Sequence, residues 1–586
     1  MTGQKSTDLP TDIPAAPATG PAPSAPAAGR PERATGADQA ARTGQPAGAD
    51  HLAGTGRPRR VHFLGIGGSG LSPLAQIHLA GGGQASGSDQ EDSPRVAMLR
   101  ALGVPVRVGP AADAAALAAE LRGAEVVVAS SALRDDHPEV LAARALGIPV
   151  RRRSDWLPEL TAAYRLVAVA GSHGKTTTAA MLTLVLRAAG LDPTAVIGAE
   201  VAQLGGSALA GSGDVFVLEA DEYGGAFAGL DPEIAVITNV EWEHPDLFPD
   251  EASVQAVFTD FAARVRPGGR LVVCGDHPGI GAVLDRLDRR RPTADVPGQD
   301  LPGQNTPGRD VPGQDRPGQP GAAAAPARRI DYGFAAGRTW RAVDYAPRPG
   351  GGSRSTVLRA GQPVGELSLA LPGPHVALNA LAALATAVEL GVSPGTALAA
   401  LATYAGAARR FDTVGRVTTP GGATVEIVDD YAHHPTEIRA TLRAARDRAA
   451  GRPVWAVSQP HTFSRLAALL DDFATAFGDA DRVYVTDIYA ARETDDLGLH
   501  AADLAAKIDQ PADTAYVGWP DLTDRLVADL DAAAARGVRG VLLLTLGAGT
   551  ITTVGPRLVD QIAHGAGTRL SGDNGTDTQD ATGPTS

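Results

Sequence analysis

RLVAVAGSHGKTTTAAMLTLVLRAAG, residues 165–190, decides the fold. An apolar run, a glycine-framed turn and a long apolar-periodic stretch read as strand, loop and helix, the opening of a βαβ rhythm around a parallel sheet. The turn GSHGKTTT (171–178) aims backbone N–H groups and a helix N-terminus at one point, an arrangement that suits phosphate. Lys175 is placed to neutralise β and γ phosphates and Thr176 to ligate Mg²⁺. The loop Gly171, Ser172, His173, Gly174, Lys175, Thr176 and Thr177 is therefore the candidate ATP site. It is a variant of G-x-x-x-x-G-K-[ST], because Val169 stands at the first glycine position. Lysine is otherwise scarce: the chain contains only Lys5, Lys175 and Lys507.

Upstream, VHFLGIGGSG (61–70) reads as a strand entering a second glycine turn, with a helix in SPLAQIHLA after it. Gly65, Gly67 and Gly70 spell G-x-G-x-x-G, and Asp89 follows Gly70 by nineteen residues at the end of the next expected strand, QASGSD. That pattern fits NAD, but the same turn and helix dipole cradle any diphosphate. Downstream, LEADE puts Glu219, Asp221 and Glu222 at the end of an apolar strand, where carboxylates can hold a metal beside a nucleotide; His244 in TNVEWEHPDLF follows another strand end. In the last third, VDDYAHHPTEI (428–438) clusters Asp430, Tyr431, His433 and His434 at a strand end, and QPHTFSR (459–465) adds His461 and Arg465.

The chain has 586 residues, with 52 basic against 66 acidic side chains, a net charge of −14 that argues against a nucleic-acid-coating role. Residues 1–58 and 567–586 are rich in Pro, Ala, Gly, Thr and Asp, and 292–328 repeat Pro-Gly units; all three segments are expected to be disordered. What remains divides into 59–160, 161–408 and 409–566, each reading as α/β. Expected strands include 126–130 and 148–150 in the first part, 214–220, 233–240 and 270–275 in the second, and 425–430, 453–458, 482–487 and 541–547 in the third. Aromatics are 4% of the chain, so the cores must be built mainly from Ala, Val, Leu and Ile. One cysteine, Cys274, excludes an intrachain disulfide framework and multi-cysteine metal sites. With no apolar run suited to a signal peptide or membrane span, the expected location is the cytoplasm. Monomer and homodimer are both open.

Taken in order, HFLGIGGSGLSPLA, GSHGKTTT, EADE, TNVEWEHPD, YAGAARRFD, DDYAHHPTEI and QPHTFSR resemble the Mur ligase family over about residues 60–566. The resemblance implies three domains: a Rossmann-like UDP-binding domain, a central P-loop ATPase-like domain, and a C-terminal Rossmann-like domain that receives an amino acid. It implies ATP-driven amide formation through an acyl phosphate. Within the family it points to the alanine-adding branch, with UDP-N-acetylmuramate and L-alanine as substrates and ATP and Mg²⁺ as cofactors. Other members use a carbamylated lysine in the central domain; none is available between Lys175 and Lys507.

Carried over by position, the resemblance makes Lys175, Glu219, His244 and Arg410 catalytic, with Thr176, Glu219 and His244 as metal ligands. Asn379 becomes the adenine contact, Arg410 a phosphate contact and Asp430 the ribose contact. Gly65, Gly67, Gly68, Ser69, Gly70, Ser88 and Asp89 would bind the UDP-sugar, and Tyr431, His433, His434, His461 and Arg465 the amino acid, with Arg465 on its carboxylate. Val376, Thr550 and the form EADEYGGAF depart from the commoner family pattern. A family ligase of other specificity, serving muramyl-peptide recycling or a secondary pathway, therefore stays open. An NAD-dependent dehydrogenase would use the Gly65 turn but leave GSHGKTTT idle, and a non-enzymatic scaffold would make Lys175 dispensable.

Overall fold

Among the described residues three sheets follow one another, and each ends its parallel strands at a loop carrying one of the motifs. The computed structural model describes residues 58–111, 113–223, 227, 229–290, 327–348, 351–494 and 496–568. The expected disordered segments lie outside these residues except at their edges: a strand already begins at Arg328, and 567–568 close the last helix.

The first sheet contains β1 (Arg60–Leu64), β2 (Gln84–Asp89), β3 (Val106–Val108), β4 (Val126–Ala129) and β5 (Val150–Arg152). Its order is β3-β2-β1-β4-β5, parallel throughout. The order reverses beside β1, so the crevice where open α/β sheets bind ligands falls at the Gly65 turn.

The second sheet contains β6 (Arg165–Ala170), β7 (Thr194–Val201), β8 (Gly206–Leu209), β9 (Val215–Glu219), β10 (Ile234–Ile237), β11 (Arg270–Cys274), β12 (Arg328–Gly333), β13 (Trp340–Pro347), β14 (Ser353–Arg359) and β15 (Gln362–Leu369). They are ordered β15-β14-β13-β12-β11-β10-β6-β9-β7-β8. The strands around β6 are parallel, whereas β8 and the β13-β14-β15 ribbon pair antiparallel at the two edges. The strands β7, β8 and β12–β15 go beyond those expected from the sequence; among them β14, SRSTVLR, buries alternate residues and carries no continuous apolar run.

Helices Lys175–Ala188 and Pro374–Glu389 cover one face, where Leu182, Val185, Leu381 and Leu384 are wholly buried. The opposite face shares one apolar cluster with the first sheet. Trp156 and Leu160, from the helix Arg153–Thr161, lie in that cluster with Phe63 of β1 and Phe216 of β9. That connecting helix is therefore packed between two sheets.

The third sheet contains β16 (Asp412–Thr418), β17 (Thr424–Asp430), β18 (Val454–Ser458), β19 (Arg482–Val485), β20 (Thr514–Tyr516) and β21 (Gly540–Leu546), ordered β16-β17-β21-β18-β19-β20. Only β16 is antiparallel. The loops after β17 and β18 carry the two histidine motifs. Among the described residues, no helix is long and apolar enough to cross a membrane.

Candidate functional site

The phosphate loop can turn as it does because two positions lack a side chain. At Gly171 (φ 136°) a Cβ would lie 2.0 Å from Thr238 Oγ1, and at Gly174 (φ 81°) 2.5 Å from Asn379 Oδ1. The loop is stitched to the end of β10: His173 N donates to Asn239 Oδ1 at 2.7 Å and Thr238 Oγ1 donates to His173 O at 2.5 Å. Lys175 opens the following helix and folds back over the loop, donating from Nζ to Gly171 O (2.7 Å), Ser172 O (3.2 Å) and Glu222 Oε2 (3.0 Å). Burial works against its charge, but Glu222, Asp221 and Glu243 outweigh it and hold the ammonium above its ordinary range.

Acidic groups from β9 and β10 face that lysine. Thr176 Oγ1 donates to Glu219 Oε1 at 2.9 Å, and Gly198 N donates to Glu219 Oε2 at 2.5 Å. The expected triad Thr176, Glu219 and His244 is thus divided. Glu219 goes with Thr176, whereas His244 Nε2 lies 3.9 Å from Glu222, and donor atoms of Asp221, Glu222 and His244 lie within 4.8 Å of one another. The cause is local: Gly198 admits the Glu219 carboxylate against its backbone, since a Cβ there would sit 2.5 Å from Glu219 Oε1.

The third module closes this site from the other side. Glu243 is 4% exposed and meets Arg465 Nη2 at 3.1 Å and His433 Nε2 at 3.3 Å. His173 Nδ1 lies 3.2 Å from Glu437, which also sits 3.6 Å from Arg410; Arg410 rests over the Tyr431 ring, 4.9 Å from its centre. Burial alone would lower the His173 pKa, yet Glu437 and Glu241 raise it to about 10. His433 is raised as well, with Glu437 and Glu243 overcoming burial and Arg465, whereas burial first and then His433 and Arg465 push His461 down to about 3.

Several expected contacts are already taken. Arg465 is 3% exposed and bound to Glu243 and to His461 Nδ1 (2.9 Å), so its guanidinium faces the central module and not an open amino-acid pocket. His434 accepts a capping hydrogen bond from Thr436 N and packs at a tilt against His173 of the phosphate loop, ring centres 4.8 Å apart. Asp430 accepts from Phe411 N (2.7 Å) and Ala432 N (2.8 Å), and burial pushes its pKa up to about 6. These internal donors make it a brace for the linker into β16 and leave less of it for a ribose.

In the first module Gly65 (φ 77°), Gly67 and Gly68 shape the turn, while Ser69 and Gly70 face the cleft. Asp89 Oδ2 accepts from Gly67 N at 2.7 Å. Ser88 is buried and donates to Glu139 at 2.5 Å, so it points away from any ligand at the turn. Ser69, Gly70, Lys175, Thr176, Glu219, His244, Arg410, Tyr431 and His433 line one cleft of about 580 Å³. A smaller pocket of about 170 Å³ opens beside it, lined by Gly174, Thr177, Asn239, His375, Asn379 and Asp430 among others.

Glu241, Glu243 and Asn239 do more in this arrangement than their sequence context suggested. Both glutamates lie in the irregular loop after β10, where no strand or helix period applies, so the sequence carried no signal for their pairing.

A lysine loop facing carboxylates, closed by a basic face from another module and open to a second glycine turn, defines a nucleotide-using α/β protein of three modules. Known proteins identify the class. Residues 60–165 match "Mur ligase family, catalytic domain", 169–294 match "Mur ligase middle domain" and 409–549 match "Mur ligase, glutamate ligase domain". UDP-N-acetylmuramate–L-alanine ligase of Frankia casuarinae is 66% identical, the alignment covering 87% of this chain and 98% of the relative. The enzyme of the same name from Frankia alni is 57% identical over 86% and 97%. The crystal structure of the Thermotoga maritima UDP-N-acetylmuramate–alanine ligase superposes with a TM-score of 0.65 at 25% identity, covering 86% of this chain and 99% of that one. The chain belongs to the Mur ligase family.

Proposed function

We propose that the protein joins L-alanine to the carboxylate of UDP-N-acetylmuramate at the expense of ATP, in the cytoplasm. The observation that carries this reading is that all three modules contribute to one cleft, so a sugar nucleotide, a triphosphate and an amino acid can meet there. Relatives bearing that name align along nearly their whole length, which supports the choice of substrates.

In this reading the first module, 59–160, holds the UDP-sugar, the central module, 161–408, holds ATP, and 409–566 holds the amino acid. The substrate carboxylate attacks the γ-phosphorus, the β–γ anhydride bond breaks and ADP leaves. The amine of L-alanine then attacks the acyl carbon, the C–N bond forms, inorganic phosphate departs and the amine gives up a proton. Such a reaction asks the protein for positioning and charge neutralisation and for no covalent nucleophile. Lys175 leaves its loop carbonyls for the phosphates, with Arg410 approaching from the third module. Asn379 and Thr177 line the small pocket beside the loop, which suits the adenosine end. Tyr431, His433 and His461 form the wall that receives the amine.

The donor set fits Mg²⁺. Two groups of donors lie beside the phosphate loop, the Thr176 hydroxyl with the Glu219 carboxylate and the Asp221 and Glu222 carboxylates with His244, and their oxygens are hard ligands. Glu219 and Thr176 would hold the ion on the phosphate side, with His244 and the Asp221–Glu222 pair next to it. When bound, it would neutralise charge on the transferring phosphoryl group.

The test is mass analysis after incubation with ATP, Mg²⁺, UDP-N-acetylmuramate and a mixture of amino acids. A single alanine adduct with matching phosphate release is expected. A product carrying a peptide or another amino acid would replace this reading with one of the other family specificities.

A further inference from the structure

Arg153 stands where the first and central modules meet. It is the first residue of the helix Arg153–Thr161, directly after β5, and the helix is anchored between the two sheets by Trp156 and Leu160. The side chain runs against the glycine turn: a Cβ at Gly70 would lie 3.3 Å from Arg153 Cδ and 3.3 Å from its Nε. Its Nε is buried without a hydrogen-bond partner among the described residues, although Arg153 lines the 580 Å³ cleft with Ser69 and Gly70. The neighbouring Arg152 differs: its guanidinium is fixed on Ser130 O, Leu133 O and Asp135. A second arginine, Arg95, reaches the same end of the cleft from the helix Pro94–Ala101.

An arginine held on a rigid element with an unsatisfied buried N–H is preorganised for an anion. Its planar fork matches phosphate in two-point contact, which a lysine cannot reproduce. The charges that face Arg153 are Asp221 and Glu219, across the cleft in the central module. They compensate its charge in the free protein without closing on it as ion pairs. Gly70 supplies the close approach: any side chain there would press on the guanidinium stem.

We infer that Arg153 is a binding residue for the diphosphate of the nucleotide-sugar substrate, clamping it against the Ser69–Gly70 turn and fixing the sugar's position relative to the central site. The inference rests on the function proposed above and assigns its sugar-nucleotide end a specific cation from the connecting helix. Because that helix is packed into both modules, one contact sets both the grip on the substrate and its distance from the phosphate loop.

Calorimetric titration of the full chain with UMP, UDP and UDP-N-acetylmuramate, in wild type, Arg153→Met and Arg153→Lys, tests this. Loss of charge-assisted hydrogen bonds should weaken UDP and UDP-N-acetylmuramate about ten- to a hundredfold in Arg153→Met. UMP should change less than threefold, and affinity for a non-hydrolysable ATP analogue should stay constant, which also reports an intact fold. Arg153→Lys should recover only part of the loss. Equal weakening of UMP and UDP, or weakening confined to UDP-N-acetylmuramate, would overturn the assignment, the second pointing to the sugar carboxylate. Unchanged UDP-N-acetylmuramate affinity in Arg153→Met would overturn it and leave the proposed function standing. Wild-type protein that binds no UDP-N-acetylmuramate would remove the function itself.

Discussion

The two glycine turns begin alike and end differently. Each follows a buried parallel strand, each starts a helix, and each has glycines with positive φ at its head, Gly65 at 77° and Gly171 at 136°. The first is completed within its own module, where Asp89 accepts from Gly67 N and Ser88 is tied to Glu139. The second is completed from outside: His173 is held by Glu437 and faces His434, both from the third module, and the acidic wall by Lys175 ends at Glu243 on Arg465. A turn braced within its own module keeps its shape whether or not the third module has docked. One that borrows charges from another module is formed only when that module is in place, a coupling suited to protecting an acyl phosphate from water.

The largest expected effect removes the cation that the second turn carries within its own sequence, Lys175. Lys175→Ala should cut alanine-dependent product formation by about 10³-fold or more, because the transferring phosphoryl group loses its fixed positive partner. Affinity for UDP should not move. If turnover survives, the second turn is not the catalytic cradle, and a scaffold role returns.

Glu243→Gln probes the borrowed wall. The amide still accepts from Arg465 but leaves that buried guanidinium without its countercharge and His433 with Glu437 alone, at a cost of about 2–3 kcal/mol. A lower urea midpoint is expected, with a larger radius of gyration in solution scattering, while UDP binding to the first turn persists. An unchanged radius would mean that the third module is held by its other contacts and that Glu243 is no latch.

A smaller, pH-dependent effect belongs to His173. Its folded pKa of about 10 lies above the ordinary value of 6.5, because Glu437 and Glu241 overcome burial. A raised pKa gives stability that is fully present below about pH 6.5 and disappears as pH climbs through about 10. The difference in urea midpoint between wild type and His173→Gln should therefore be greatest near pH 6, shrink steadily and vanish above pH 10. A difference that grows with pH would mean that the ring is neutral in the folded protein.

Much of this was legible in the sequence because it lies in short range. Apolar runs such as LVAVA and VLLLTLG marked the strands that are buried on both faces, and GSHGKTTT marked its own turn. The antiparallel ribbon β13–β15 escaped because its strands alternate and sit at an edge. At the site, residue types showed where charge would gather but not how it would pair. Glu243 and Arg465 are 222 residues apart, and their contact depends on how two modules dock. Ser88 and His434 carried suitable chemistry in suitable motifs, yet Glu139 and His173 turned them inward. Arg153 escaped for the opposite reason: it sits in an unremarkable RRR run, and only the helix start distinguishes it from Arg152.

The smallest effect tests the self-sufficiency of the first turn. In a dinucleotide fold the acidic residue after the second strand is kept for a ribose hydroxyl. Here Asp89 is occupied: Oδ2 takes the Gly67 N–H at 2.7 Å and Oδ1 that of Glu91 at 3.2 Å. It acts as a splint that holds the turn open for phosphate. Asp89→Asn keeps one acceptor and loses the other, so UDP affinity should fall only about two- to fivefold, the worth of one exchanged hydrogen bond of roughly 0.5–1 kcal/mol. Wild type and variant alike should give no saturable fluorescence change with NADH. Saturable NADH binding that the substitution abolishes would show the carboxylate reading a ribose, and the two turns would then divide their labour between a redox dinucleotide and a triphosphate.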